Sequence, residues 1–164
     1  MKIAIGSLLE AARLASGAVA IIDVFRAFTT AAVALANGAD RIVMVGSVAE
    51  AFALRDSGAG QVCMGEVRGR PPDGFDFGNS PFDVSQVDFR GKTIIQRTSA
   101  GTQGIVAASG ADRLYAASLV TAQATLASAQ TNLVESLYHY NLSKLALARA
   151  AGVIESQYRE YLGR

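Results

Sequence analysis

The chain has 164 residues, 51% of them hydrophobic, enough to bury one real core while two would each be small. Its 15 Lys and Arg against 14 Asp and Glu leave a formal charge of +1. No basic run forms a stripe that tracks a phosphate backbone, so nucleic acid is not an expected partner. Cys63 is the only cysteine, which excludes an internal disulfide and a Cys-rich zinc site, and it reads as a small buried apolar residue. Glu10 and Arg13 interrupt the faintly signal-like N-terminus, and no stretch has the length and apolarity of a membrane span. A cytoplasmic address is the expectation.

In chain order, short β-branched runs alternate with Ala-rich segments, the pattern of an α/β fold with a mostly parallel sheet and crossover helices. Strands are expected at Lys2 to Ile5, Val19 to Asp23, Arg41 to Val45, Gln61 to Met64, Thr93 to Gln96 and Arg113 to Ala116. Helices are expected over Ala27 to Ala36, closed by Asn37-Gly38, over Val48 to Ser57, and over Thr102 to Ser109, closed by Gly110. Between them, Gly65 to Phe82 holds all three prolines of the chain and reads as a long loop, ordered by Phe75 and Phe77. From Leu119 the period becomes seven, with Leu126, Leu133, Tyr140, Leu147, Ile154 and Tyr161 on one seam and small residues such as Ala122, Ala129 and Ser136 beside it. One long C-terminal helix follows as the expectation, separating residues 1–118 from an assembly segment at 119–164 that makes a homo-oligomer. No cysteine or second histidine accompanies His139 in this segment, so a metal role for it is not expected.

Three places carry chemistry. In IIDVFRAFTT, Asp23 ends a buried strand, where open α/β sheets place their ligands, and Arg26, Thr29 and Thr30 open the next helix. A carboxylate there suits a divalent cation, and an Arg beside a helix N-terminus suits a phosphate, sulfonate or carboxylate. The competing reading is an Asp that caps its own helix and pairs with Arg26. In the long loop, Glu66, Asp73 and Asp76 are carboxylates, while Asn79 and Ser80 are neutral groups suited to phosphate oxygens, although such a loop is equally a turn-rich structural one. RTSAGTQG, at the start of a helix, is a candidate anion nest rather than a Walker loop, since no Gly-Lys-Ser/Thr follows.

Taken in order, IDVFRAFTTAAVALANGA, GEVRGRPPDGFDFGNSP, GKTIIQRTSAGTQG and YAASLVTAQAT resemble the 2-phosphosulfolactate phosphatase family over roughly Met1 to Thr125. The resemblance implies magnesium-dependent hydrolysis of a small phosphorylated anion, 2-phosphosulfolactate or a relative, to the hydroxy acid, a step in coenzyme M biosynthesis. Carried over by motif, it implies Asp23, Arg26 and Glu66 as catalytic residues. Asp23, Glu66 and Asp76 become magnesium ligands, and Asn79, Ser80, Thr98, Gly101 and Thr102 become substrate-binding residues. Phe25 stands where the family has Leu, and Ala100 where it has Asn. Family members continue with further strands and helices; here the end, LASAQTNLVESLYHYNLSKLALARAAGVIE, resembles instead the last long helix of TolC-type outer membrane efflux proteins. The alternative is therefore a truncated or fused product that only binds anions or self-assembles through its helix.

Overall fold

The computed structural model describes residues 3–118 and, beyond them, Ser128, Gln130, Thr131, Asn132, Glu135, Ser136 and His139. The chain divides into two compact units, Met1–Ala122 and Gln123–Arg164. The period-seven seam, with Leu126 and Leu133, lies outside the described residues, as does the likeness to an efflux-protein helix.

In the first unit the elements run α1 (Leu8–Leu14), β1 (Ala18–Ile22), α2 (Ala27–Ala36), β2 (Arg41–Met44), α3 (Val48–Asp56), β3 (Val62–Gly65), α4 (Pro81–Ser85), β4 (Thr93–Arg97), α5 (Gly101–Ala107) and β5 (Arg113–Ala117). Every strand pair is parallel: β1 with β5, and β4 between β2 and β3. The α/β reading and five of the six expected strands therefore hold to within a residue or two.

The β2–β4–β3 sheet is covered on both faces. On one, Met64 and Ile94 pack with Ala34, Val84 and Phe89; on the other, Cys63 and Ile95 pack with Val45 and Ala51. A central parallel strand so enclosed must be apolar on both sides, which is why Thr93 to Gln96 is buried throughout. Cys63 is buried, as its small apolar character suggested.

Local chemistry sets the helix ends. The hydroxyl of Ser47 accepts from the Glu50 backbone N–H at 3.0 Å and the Glu50 carboxylate accepts from Gly46 N–H at 3.0 Å, a reciprocal cap for α3. α2 ends at Asn37, whose side-chain amide donates to the carbonyls of Val84, Ser85 and Val87 at 3.0–3.1 Å and so ties α2 to α4.

Two expectations fail. Lys2 lies outside the described residues, and Ile3 to Ile5 form no strand; Ile3 and Ile5 are 73% and 96% exposed. Alternating apolar residues give strand preference, but a strand exists only where a second edge takes its hydrogen bonds, and none pairs with this run. The loop after β3 contains a short helix, α4, which Pro81 at its first turn and the Ser80 hydroxyl, accepting from Asp83 N–H at 3.3 Å, both favour. The rest of that loop is ordered, as Phe75 and Phe77 implied: their rings meet Phe52 and Phe89 edge-on at 5.6 Å.

Gly65 closes β3 at φ +140°, and a Cβ there would run into the carbonyl of Arg97 on β4. Gly65→Ala is expected to destabilise the fold by about 3 kcal/mol or more through backbone strain and overpacking. Urea denaturation checks this; a change within about 0.5 kcal/mol, ordinary for a surface substitution, contradicts it.

Candidate active site at the carboxyl ends of the strands

Asp23 lies one residue beyond β1, where its backbone N–H extends the β1–β5 ladder to Ala117 O at 2.9 Å. Its carboxylate accepts backbone N–H groups from Ala27 and Phe25, at the start of α2, and from Gly101, at the start of α5. Two helix openings thus converge on one acid. The approach depends on glycine: a Cβ at residue 101 would fall 2.7 Å from Ala27 Cβ and 2.8 Å from Asp23 Oδ2, and one at residue 104 would fall 2.8 Å from Ile21 Cγ2. Burial pushes the Asp23 pKa above its ordinary value, against the three N–H donors, and the charge of Glu66 adds to the rise.

Glu66 follows β3 and is 8% exposed. Its Oε1 accepts Ser99 N–H at 2.6 Å, and its Oε2 accepts Gly69 N–H at 2.6 Å and the Ser99 hydroxyl at 3.0 Å. Burial works to raise its pKa, but these bonds and the charge of Arg97 together outweigh it, so the group ends below its ordinary value. Arg97 also donates through Nη1 to the Glu66 carbonyl at 2.9 Å.

The Thr98–Thr102 loop is the common anchor. Its expected role as an anion nest is filled by the protein itself: Ser99 N–H goes to Glu66 and Gly101 N–H to Asp23. Thr98 and Thr102 are buried and bond to each other. Thr98 N–H donates to Thr102 Oγ1 at 2.8 Å, Thr102 N–H to Thr98 Oγ1 at 3.1 Å, and the Thr102 hydroxyl to Thr98 O at 3.0 Å. These bonds make the two threonines shapers of the loop, while Gly101 gives its N–H to Asp23. Gln103 ties the loop to β2 by donating to Gly46 O at 2.9 Å.

Asp76 is not gathered with Asp23 and Glu66. Its Oδ2 accepts Cys63 N–H at 2.7 Å and lies 3.9 Å from Arg55 Nη1, so it fastens the loop to β3. No group of three His, Cys, Asp or Glu side chains suited to a metal occurs among the described residues. Ser80 caps α4, and Asn79 buries its Oδ1 with no hydrogen-bond partner. Arg26 is exposed, at the unusual φ of +87°, and makes no ion pair with Asp23 among the described residues, so of the competing reading only the capping half holds. Ser99 and Arg97 went unnoticed in the sequence, because nothing in RTSAG distinguishes the residue that holds an acid from its neighbours.

The pair Asp23 and Glu66 fits a hard divalent cation of the magnesium kind. Each acid is fixed by N–H donors, the charge of Glu66 acts on Asp23, and two carboxylates with waters and a phosphate are the usual donor set.

The family model for 2-phosphosulpholactate phosphatase matches residues 5–137. Among curated relatives, a probable 2-phosphosulfolactate phosphatase of Carboxydothermus hydrogenoformans is 44% identical over 107 residues, covering 65% of this chain and 44% of that protein. One of Symbiobacterium thermophilum is 42% identical over 116 residues, covering 70% and 50%. Another, of Caldicellulosiruptor saccharolyticus, is 33% identical over 130 residues, covering 79% and 52%. The chain thus spans about half the length of the curated relatives it matches. The family match reaches beyond residue 125, into the segment likened above to an efflux-protein helix, and these relatives give that likeness no support.

A Glu66 pKa below the ordinary 4.5 means that its ionised form stabilises the fold above that pH and that this stabilisation is lost as pH falls through the lower folded value. Glu66→Gln places an amide against N–H donors, so at pH 7 it is expected to cost about 1–3 kcal/mol. The gap to wild type should close on acidification. Denaturation midpoints from pH 7 to 3 check this; a gap that stays constant contradicts it.

Proposed function

Because the chain belongs to the 2-phosphosulpholactate phosphatase family, we propose that it carries the bond-breaking end of a magnesium-dependent phosphatase. The substrate is a small anionic phosphomonoester, 2-phosphosulfolactate or a relative; the products are the hydroxy acid and phosphate. The observation that carries this reading is the pair of carboxylates, Asp23 and Glu66, anchored on one five-residue loop at the carboxyl ends of the strands.

Asp23 and Glu66 would hold the magnesium. When bound, the ion supplies charge neutralisation for the phosphate and a more acidic water. The chain's own groups do the positioning. Ser99, Gly69 and Gly101 keep the two carboxylates from rotating, so their remaining lone pairs stay in one arrangement as charge develops. Arg26, at the mouth of α2 and without an ion-pair partner among the described residues, offers a planar fork to the phosphate oxygens. Water adds to phosphorus, the ester oxygen leaves with a proton, and phosphate is released. Ala100, where the family pattern has Asn, supplies no side-chain polar group to this step.

Asp23→Asn is expected to lower kcat by about 10³-fold or more, as removal of a charged group at a preorganised site does. Arg26→Lys should lose about 10²-fold, since an ammonium cannot reproduce the bidentate contact. Release of inorganic phosphate from 2-phosphosulfolactate, with magnesium and with chelator, measures both. Wild-type turnover that is indifferent to chelator, or full activity of Asp23→Asn, overturns the reading.

A further inference from the structure

After β3 the backbone turns back on itself at Val67–Arg70. Val67 N–H donates to Arg70 O at 2.8 Å and Arg70 N–H to Val67 O at 3.2 Å, with Arg68 at φ +52° and Gly69 at φ +84° between them. Positive φ at both central positions is the type I′ turn, whose favoured pair is Asn-Gly. A long side chain at the first position is strained there, and here it is arginine.

The turn is fastened to the site on both sides. Arg68 N–H donates to the Ser99 hydroxyl at 3.0 Å, and Gly69 N–H to Glu66 Oε2 at 2.6 Å. Ser99 and Glu66 are themselves joined, so the Arg68 backbone is linked through the single residue Ser99 to the acid that the proposed reaction uses. The Arg68 side chain is exposed and has no hydrogen bond or ion pair among the described residues.

Three non-glycine residues among those described have positive φ: Leu8, Arg26 and Arg68. Two are arginines, one three residues after Asp23 and one two residues after Glu66. Backbone strain of this kind clusters at functional sites, and neither guanidinium has an ion-pair partner among the described residues.

Building on the phosphatase reading, we infer that Arg68 is a specificity residue that binds the second anionic group of the substrate, a sulfonate or carboxylate, while the phosphate lies toward Arg26 and Asp23. A rigid turn presenting a guanidinium fork from a fixed backbone loses little freedom on binding such a group. The turn then selects phosphoesters that carry a further acid near the ester carbon.

The test is calorimetric titration of sulfolactate, and separately of inorganic phosphate, into wild type and Arg68→Asn in magnesium buffer, with a thermal melt of each. Arg68→Asn creates the favoured Asn-Gly turn, so the melting temperature should hold or rise. Sulfolactate affinity should fall about 10- to 100-fold, the worth of a charge-assisted fork, while phosphate affinity stays within about twofold. A lowered melting temperature, or equal weakening toward both ligands, overturns the inference and assigns Arg68 to the fold. Wild type that binds phosphate but not sulfolactate also overturns it and leaves the phosphatase reading standing. Wild type that binds neither overturns both.

Discussion

The close approach of α5 to β1 and α2 is the constraint on which the site depends. Gly101 and Gly104 are spaced three apart, on one face of the helix, and each would place a Cβ within 2.8 Å of a neighbour. Without side chains at these positions, the start of α5 reaches Ala27 and Asp23, and two N-terminal helix openings share one carboxylate. The β1–β5 pair and the β2–β4–β3 sheet form no ladder with each other, so helix packing rather than sheet pairing carries their contact here.

That constraint explains the electrostatics. Helix openings and Gly-rich loops ordinarily leave N–H groups for a ligand anion. In this chain the protein's own acids take them, Glu66 through Ser99 and Gly69 and Asp23 through Gly101. The two acids respond in opposite directions. Each accepts three donors, but Glu66 has Arg97 beside it as well and ends below its ordinary pKa, whereas burial dominates at Asp23. A site of this kind presents oriented negative charge, which the proposed cation would offset.

Much of the fold was legible in the sequence because its signals are local. The run Thr93 to Gln96 has the continuous burial of a central parallel strand, and Ala27 to Ala36 ends where Asn37-Gly38 predicts. Ile3 to Ile5 misled because pairing is a non-local property. At the site, Asp23 stood out by its position at a strand end, and Glu66 as a carboxylate of the long loop that the family resemblance also marked. Thr98, Thr102 and Asp76 read as ligand-binding groups because residue type alone cannot say whether a hydroxyl or carboxylate is already engaged. Each is engaged, with Thr102, Thr98 and Cys63 N–H respectively. Ser99 and the Arg68 turn were invisible for the same reason, since their importance lies in what they bond to across 31 to 33 residues of sequence.

In the proposed mechanism Asp23 and Glu66 act as one cation site held by the Thr98–Thr102 loop. Titration of manganese, a spectroscopically visible substitute for magnesium, into wild type, Asp23→Asn, Glu66→Gln and the double variant tests it most directly. One site is expected in wild type, lost in either single variant, with the double variant no worse than the singles. Manganese binding that survives unchanged in the double variant would contradict it.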